Sequence, residues 1–270
     1  MIKKLFLLYF VISQIQTSCN GTRSISEERE DSVFVEYRIR EFNFEGRDAK
    51  IVFPKKRHEK DLWVWRARFW GHEPQFDKAL IEKGFHLVYV DVADMFGNNE
   101  AVGIWNRFYE YCRSKYRLNE KVVLEGMSRG GLIVYNWGSK NPSKVLAIYG
   151  DAPVCDIKSW PGGLGKGKGH AETWKRCLDA YGLDTVSVLD FKGIPVNNYE
   201  PLAKAGVPLI HVYGDTDKVV PFEENSAILA ARYRAAGGSM ELIRKEGVGH
   251  HPHSLQDPSP IVDFVLKALD

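Results

Sequence analysis

Residues 121 to 137 read KVVLEGMSRGGLIVYNW. The opening KVVLEG is rich in β-branched and apolar residues, as a buried strand requires. The close, through Trp137, reads as a helix. Between them Gly126-Met127-Ser128-Arg129-Gly130 fits the pattern Gly-x-Ser-x-Gly. A surface turn needs nothing so specific. A serine held in a strained strand-to-helix turn needs small flanking residues, because the chain folds tightly around it. Such a turn exposes the hydroxyl and sets the Arg129 N–H at a helix N-terminus, where it can stabilise an oxyanion.

Working outward, apolar runs alternate with helical segments. SVFVEYRIREFNFEGRDAKIVFP alternates and turns at Glu45–Gly46, which predicts an edge hairpin. LWVWRARFW is a strand running into a loop, PQFDKALIEKG a helix closed by Gly84, and FHLVYVDV a buried strand. AVGIWNRFYEYCRSKY is a helix, and VLAIYGD is the sixth strand. From Ala152 to Ala205 the pattern loosens into a Gly-rich insertion with short helical pieces. VPLIHVYGD and MELIRK are further strands, with a helix between them and a last helix at PIVDFVLKAL. Alternation of this kind predicts an α/β fold, a mostly parallel sheet with helices on both faces.

A nucleophilic serine needs a base, because a free hydroxyl is essentially unionised at neutral pH. EGVGHHPHS, after the last strand, concentrates three of the eight histidines. His250, after Val-Gly at the strand end, is the preferred base, with the adjacent His251 as its rival. A third group should orient the imidazole. YGDTDKVVP offers Asp215, which as a turn cap follows Gly214, and Asp217 on the loop tip, which is preferred. Neither the histidine cluster nor the cysteines come with metal-ligand partners in sequence, so no metal and no cofactor is expected.

The balance of 37 basic and 35 acidic residues gives a net charge of +2, with no overall push toward nucleic acid or a membrane surface. The N-terminus stands apart. MIKKLFLLYFVISQIQTSC has a basic start and an apolar run too short to span a bilayer, the layout of a secretory signal. The small residues before Cys19 resemble a bacterial lipoprotein cleavage site, although Gln16 stands where an aliphatic residue is usual. The expected organisation is a signal over residues 1–19, a tether over 20–31 and a catalytic domain over 32–270. Lipidation at Cys19 would place the protein in the periplasm or on the outer membrane of a Gram-negative bacterium, held to the membrane only through its lipid anchor. Of the remaining Cys112, Cys155 and Cys177, one pair could bridge in an oxidising compartment.

GMSRGG, GDTDKVVP and GVGHHPHS, in the order Ser, Asp, His, resemble the α/β-hydrolase superfamily of serine esterases. The resemblance implies that Ser128 is nucleophile, Asp217 acid and His250 base. It departs at the loop after the third strand, where His-Gly-Gly often completes the oxyanion hole. Here the loop reads WRARFWG, and the second N–H is expected between Arg66 and Phe69, with Arg66 and Ala67 the first candidates. WVWRARFWGHEP, DIKSWPGG and GHHPHSL further resemble bacterial carbohydrate esterases labelled as prolyl oligopeptidase-like, some of which remove methyl esters from pectin.

The loops expected at the site carry Arg66, Arg68, Trp70, Arg129, Trp160, Lys166 and Lys168. Indole faces suit sugar rings, and guanidinium groups suit carboxylates. The expected partner is therefore an anionic polysaccharide or oligosaccharide, best a methyl-esterified polyuronate. The alternatives are an O-acetyl esterase, a serine peptidase of prolyl oligopeptidase type, and an inactive glycan-binding lipoprotein.

Overall fold

The computed structural model describes residues 33–269. The signal, the tether and Cys19 lie outside them. An eight-stranded sheet runs through the molecule. In chain order the strands are β1 (Arg38–Phe44), β2 (Arg47–Phe53), β3 (Trp63–Arg66), β4 (His86–Val90), β5 (Val122–Met127), β6 (Val145–Asp151), β7 (Leu209–Gly214) and β8 (Met240–Lys245). Their order across the sheet is β1-β2-β4-β3-β5-β6-β7-β8. The β1–β2 and β2–β4 pairs are antiparallel, and every pair from β4 to β8 is parallel.

The expected hairpin turns at Glu45–Gly46, both with positive φ, the conformation a tight hairpin demands. The central strand β5 is buried along its whole length, as its apolar run requires. Helices pack on both faces. On one side α1 (Gln75–Glu82) and α8 (Ser259–Lys267) cover Val64, Leu87, Val123 and Ile210. On the other, α2 (Asn99–Tyr116) and α3 (Gly130–Lys140) cover Trp63, Trp65 and Leu124. The helix α2 starts at Asn98, whose side chain accepts the Ala101 N–H at 2.9 Å, an N-cap. It buries Ala101, Trp105, Phe108 and Cys112, spaced three or four apart. Trp65 stacks on Trp105 at 3.9 Å between centroids, so this strand tryptophan is core and not site.

The mostly parallel sheet, the helices on both faces and the loop-rich insertion after β6 agree with the sequence reading. That insertion holds α4 (Ala171–Tyr181), α5 (Ser187–Asp190) and α6 (Glu200–Lys204), and α7 (Ser226–Ala235) follows β7. Cys112, Cys155 and Cys177 are free buried thiols, so no pair of them bridges. No helix among the described residues is long and apolar enough to cross a membrane.

Candidate active site

The parallel strands β3, β5, β6, β7 and β8 point their carboxyl ends to one edge, where loops of such sheets build sites. At the end of β5, Ser128 has φ 49°, a left-handed conformation rare for a residue with a side chain. Strain of this kind costs about 1–3 kcal/mol and persists only where the surroundings hold it. The Ser128 N–H donates to the Asp151 carbonyl at 2.8 Å, and its own carbonyl accepts from Gly131 and Val154. The flanking glycines are explained by close approach. A Cβ on Gly126 would come within 2.7 Å of Val134, and one on Gly131 within 2.7 Å of Pro153.

The three distant sequence signals meet here. Ser128 Oγ lies 3.0 Å from His250 Nε2, and His250 Nδ1 lies 2.7 Å from Asp217 Oδ2. The Asp217 carboxylate is nearly closed to solvent. Its other oxygen accepts the backbone N–H groups of Val219 and Val220 at 2.8 and 2.9 Å, which fix its aim. Of the two adjacent histidines it is His250 that reaches the serine; His251 is exposed beside it. Asp215 instead pairs with Arg244 on the surface and accepts the Gly247 N–H.

The loop after β3 departs from the sequence reading. The Ala67 N–H is committed to the Glu125 carbonyl at 3.0 Å, so Ala67 is no free oxyanion donor. The Arg66 side chain does not face the site either. It is 1% exposed and donates to Asp77, to Glu125 and to the carbonyls of Arg68, Phe69 and His72. Arg66 is thus the floor under the loop, set there because β3 places it in register with Glu125 of β5. Burial raises the Glu125 pKa well above the carboxylate range, against the pull of Arg66 and helped by Asp77. Asp77 Oδ1 and Glu125 Oε2 are the carboxylate atoms left without a partner. Within the expected bracket, the backbone N–H groups of Arg68 and Phe69 make no hydrogen bond among the described residues. That of Arg68 lies beside Gly130, 3.9 Å from the point a Cβ there would occupy. The Arg129 N–H, at the start of α3, is likewise unbonded.

The cationic groups divide into three kinds. Arg68 and Arg129 are half-buried neighbours of the Ser128 turn. Arg68 Nε and Nη1 and Arg129 Nη1 are buried without a hydrogen-bond partner among the described residues. Burial, and then the adjacent Arg68 charge, lower the Arg129 pKa to about 10. The guanidinium of Arg129 sits 5.6 Å from the Trp160 ring, a cation–π contact that brings the insertion to the site. Lys166 and Lys168 are different: exposed, on a loop held by backbone bonds to Glu224 and Lys218. Arg66, as described, is structural.

A cavity of about 440 Å³ opens at Ser128, lined by this serine with Phe69, Trp70, His72, His250, His251 and His253. Trp70 is among its lining residues, while Arg68, Arg129, Trp160 and the two lysines stand outside this lining. His253 is a participant that sequence reasoning left without a role. Its Nδ1 is 2.7 Å from Asp151 Oδ1, and Asp151 also accepts from Tyr149 Oη and the Ser254 N–H at 2.6 Å each. Burial opposes that carboxylate's charge, but the hydrogen bond with His253 overrides it and the Asp151 pKa is lowered. Three histidine side chains, 250, 251 and 253, place nitrogen atoms within 4.8 Å of one another. The sequence shows the cluster and offers Asp217, but not the carboxylate behind His253, because Asp151 arrives from the end of β6.

No protein-family model and no curated protein matches this sequence. Solved structures do match in shape. An acylaminoacyl peptidase in complex with Z-Gly-Gly-Phe-chloromethyl ketone is similar with a TM-score of 0.63 and 14% identity, over 87% of this chain and 44% of that one. A Mycobacterium tuberculosis puromycin-hydrolysing peptidase is similar with 0.64 and 14%, over 85% of this chain and 38% of that one. A Thermus thermophilus protein is similar with 0.60 and 16%, over 87% of this chain and 98% of that one. The chain therefore spans less than half the length of the two peptidases. Likeness at this identity speaks for architecture, and with the strand order and the serine turn it establishes that the chain has the α/β-hydrolase fold.

Proposed function

We propose that the protein is a serine hydrolase of carboxylic esters whose substrate carries carboxylate groups, a methyl-esterified polyuronate being the best fit. The observation that carries the hydrolase reading is the unbroken chain from Ser128 through His250 to Asp217. His250 takes the hydroxyl proton as Ser128 Oγ attacks the ester carbonyl. The N–H groups of Arg129 and Arg68 receive the oxyanion. His250 then protonates the departing alkoxide, methanol for a methyl ester, and water releases the acyl group by the same route. General-base help contributes about 10²–10⁴-fold, and an oxyanion donor about 10²–10³-fold. Asp217 holds His250 in the productive tautomer and stabilises its charged form.

The anionic preference rests on Arg68 and Arg129. Two adjacent guanidinium groups with buried, unpartnered N–H groups are costly to leave alone. A carboxylate satisfies them with charge-assisted bonds, and Trp160 beside them offers a face for a sugar ring.

A second reading, a serine peptidase, is favoured by the fold likeness to acylaminoacyl and puromycin-hydrolysing peptidases. One panel separates the two: methylated polygalacturonate, acetylated xylan, a neutral aryl acetate and an acylated peptide amide. The ester reading expects the polyuronate ester to be the best substrate; a faster peptide amide moves the assignment to peptidase. In the same panel Ser128→Ala should lower kcat by about 10⁶-fold with thermal unfolding nearly unchanged. Substantial turnover by that variant would end the proposal in either form.

The export signal and lipidation at Cys19 belong to the same proposal, because a polysaccharide substrate lies outside the cytoplasm. Two acyl chains would anchor the protein stably. Mass spectrometry of the mature N-terminus should find a diacylated or triacylated Cys19; an intact Met1 contradicts export, and an unmodified Cys19 contradicts the anchor.

A further inference from the structure

The histidines at the mouth of the site outnumber what a triad uses. His250 serves Ser128. His251 and His253 line the same cavity, with ring centroids 4.8 Å from each other and 5.0 and 4.7 Å from the His250 ring. Two of the three are backed by buried carboxylates: His250 Nδ1 by Asp217, and His253 Nδ1 by Asp151. A carboxylate on the far nitrogen fixes the tautomer so that Nε2 presents a lone pair, and it makes the imidazole a better ligand. His253 Nε2 and both nitrogens of His251 make no hydrogen bond among the described residues. The two carboxylates also supply the negative charge that would balance a dication set among neutral ligands. Packing alone does not call for this: the exposed His251 can be hydrated, but the buried His253 keeps an unbonded Nε2 in the cavity lining.

We propose that His250, His251 and His253 form a binding site for a transition-metal dication of the Zn²⁺ class, and that its occupancy switches the hydrolase off. Neutral imidazole is a preferred ligand of such ions, at about 2.0–2.1 Å. Tetrahedral angles then put the ligand nitrogens about 3.3 Å apart, so the present separations of up to 4.8 Å close by ring rotation, chiefly of the exposed His251. Water or Ser128 Oγ takes the fourth position. The Nε2 lone pair that would accept the Ser128 proton is then bound to the metal, and no base remains. The inhibitory half of the inference rests on the triad assignment; the binding half does not.

The two halves are tested separately on the chelator-treated full chain. By calorimetry with Zn²⁺, the wild type and Ser128→Ala should each bind one equivalent. Co²⁺ in the same protein should show the visible absorption of a four-coordinate site. His251→Gln, an exposed substitution with little reason to disturb folding, should weaken Zn²⁺ binding by at least about tenfold. His253→Gln should do the same if it folds. Turnover of a neutral aryl acetate by the wild type should fall along the same binding curve and return with chelator. Absence of saturable binding, or binding unaltered in His251→Gln, overturns the site. Binding without loss of turnover overturns the switch. If the chain hydrolyses nothing, the calorimetric result still decides the site.

Discussion

Arg66 and Arg68 stand two residues apart on one strand end and lead opposite lives. Arg66 points under the loop, 1% exposed, with all three guanidinium nitrogens donating to protein acceptors. Arg68 lies over the Phe69 ring with its charge felt at Arg129, and both keep buried N–H groups without hydrogen-bond acceptors. The difference teaches how to read a cation near a site. A buried charge that the protein has neutralised is support. A half-buried guanidinium with N–H groups left unbonded, as at Arg68 and Arg129, is where the proposed anionic substrate would be held. The lowered pKa of Arg129 expresses the same cost: desolvation first, then a like charge alongside.

The widest test of this contrast removes the floor. Arg66→Met should destabilise the fold by about 3–5 kcal/mol, because Asp77 and Glu125 are left buried without their cation. Urea denaturation should show the midpoint falling at unchanged slope, and whatever folded protein remains should keep its ranking of substrates. A variant that unfolds like the wild type but loses only the anionic substrate would reverse the roles of the two arginines.

Next comes the rim. Arg129→Gln keeps the backbone N–H and removes the guanidinium. A charge-assisted hydrogen bond is worth about 1.5–3 kcal/mol, so kcat/KM on methylated polygalacturonate should drop by about 10–100-fold while the neutral aryl acetate is nearly untouched. Stability should hold or rise slightly, since repulsion with Arg68 is relieved. Equal losses on both esters would make Arg129 a structural residue like Arg66.

The smallest effect belongs to the exposed lysines. Lys166→Gln with Lys168→Gln should lower kcat/KM on the polyuronate ester only severalfold, and should flatten its salt dependence. Exposed charges act through solvent and are screened within about 8 Å at physiological ionic strength. Steady-state rates across a salt series check this. A loss as large as that of Arg129→Gln, insensitive to salt, would mean that the lysines contact the substrate directly.

Much of this was legible before the fold was known, and the reason is locality. The signature of the turn that holds Ser128 lies within a few positions: Gly126, which clears Val134 eight residues on, the serine, and a helix that starts at once. The alternation of strands and helices is likewise a short-range pattern of which side chains face the sheet. The order Ser, Asp, His could be read because each group follows a strand, and parallel strands deliver their loops to one edge. What the chain could not disclose is whatever depends on register and on partners far along it. Whether an arginine on WRAR is floor or rim turns on Arg66 meeting Glu125, 59 residues away, and on Asp77 from α1. That Ala67 has no N–H to spare follows from the same pairing with β5. His250 and His251 are neighbours in sequence, and only the path of the loop after β8 decides which one reaches Ser128. His253 reads as one more histidine until β6 brings Asp151 against it. The sequence by itself thus determined the secondary structure, the class of sheet and the candidate nucleophile, all set by periodicity and local sterics. Only the tertiary structure decided which charges are neutralised inside the protein and which are left open, because that depends on strand register and on how closely distant side chains are packed together.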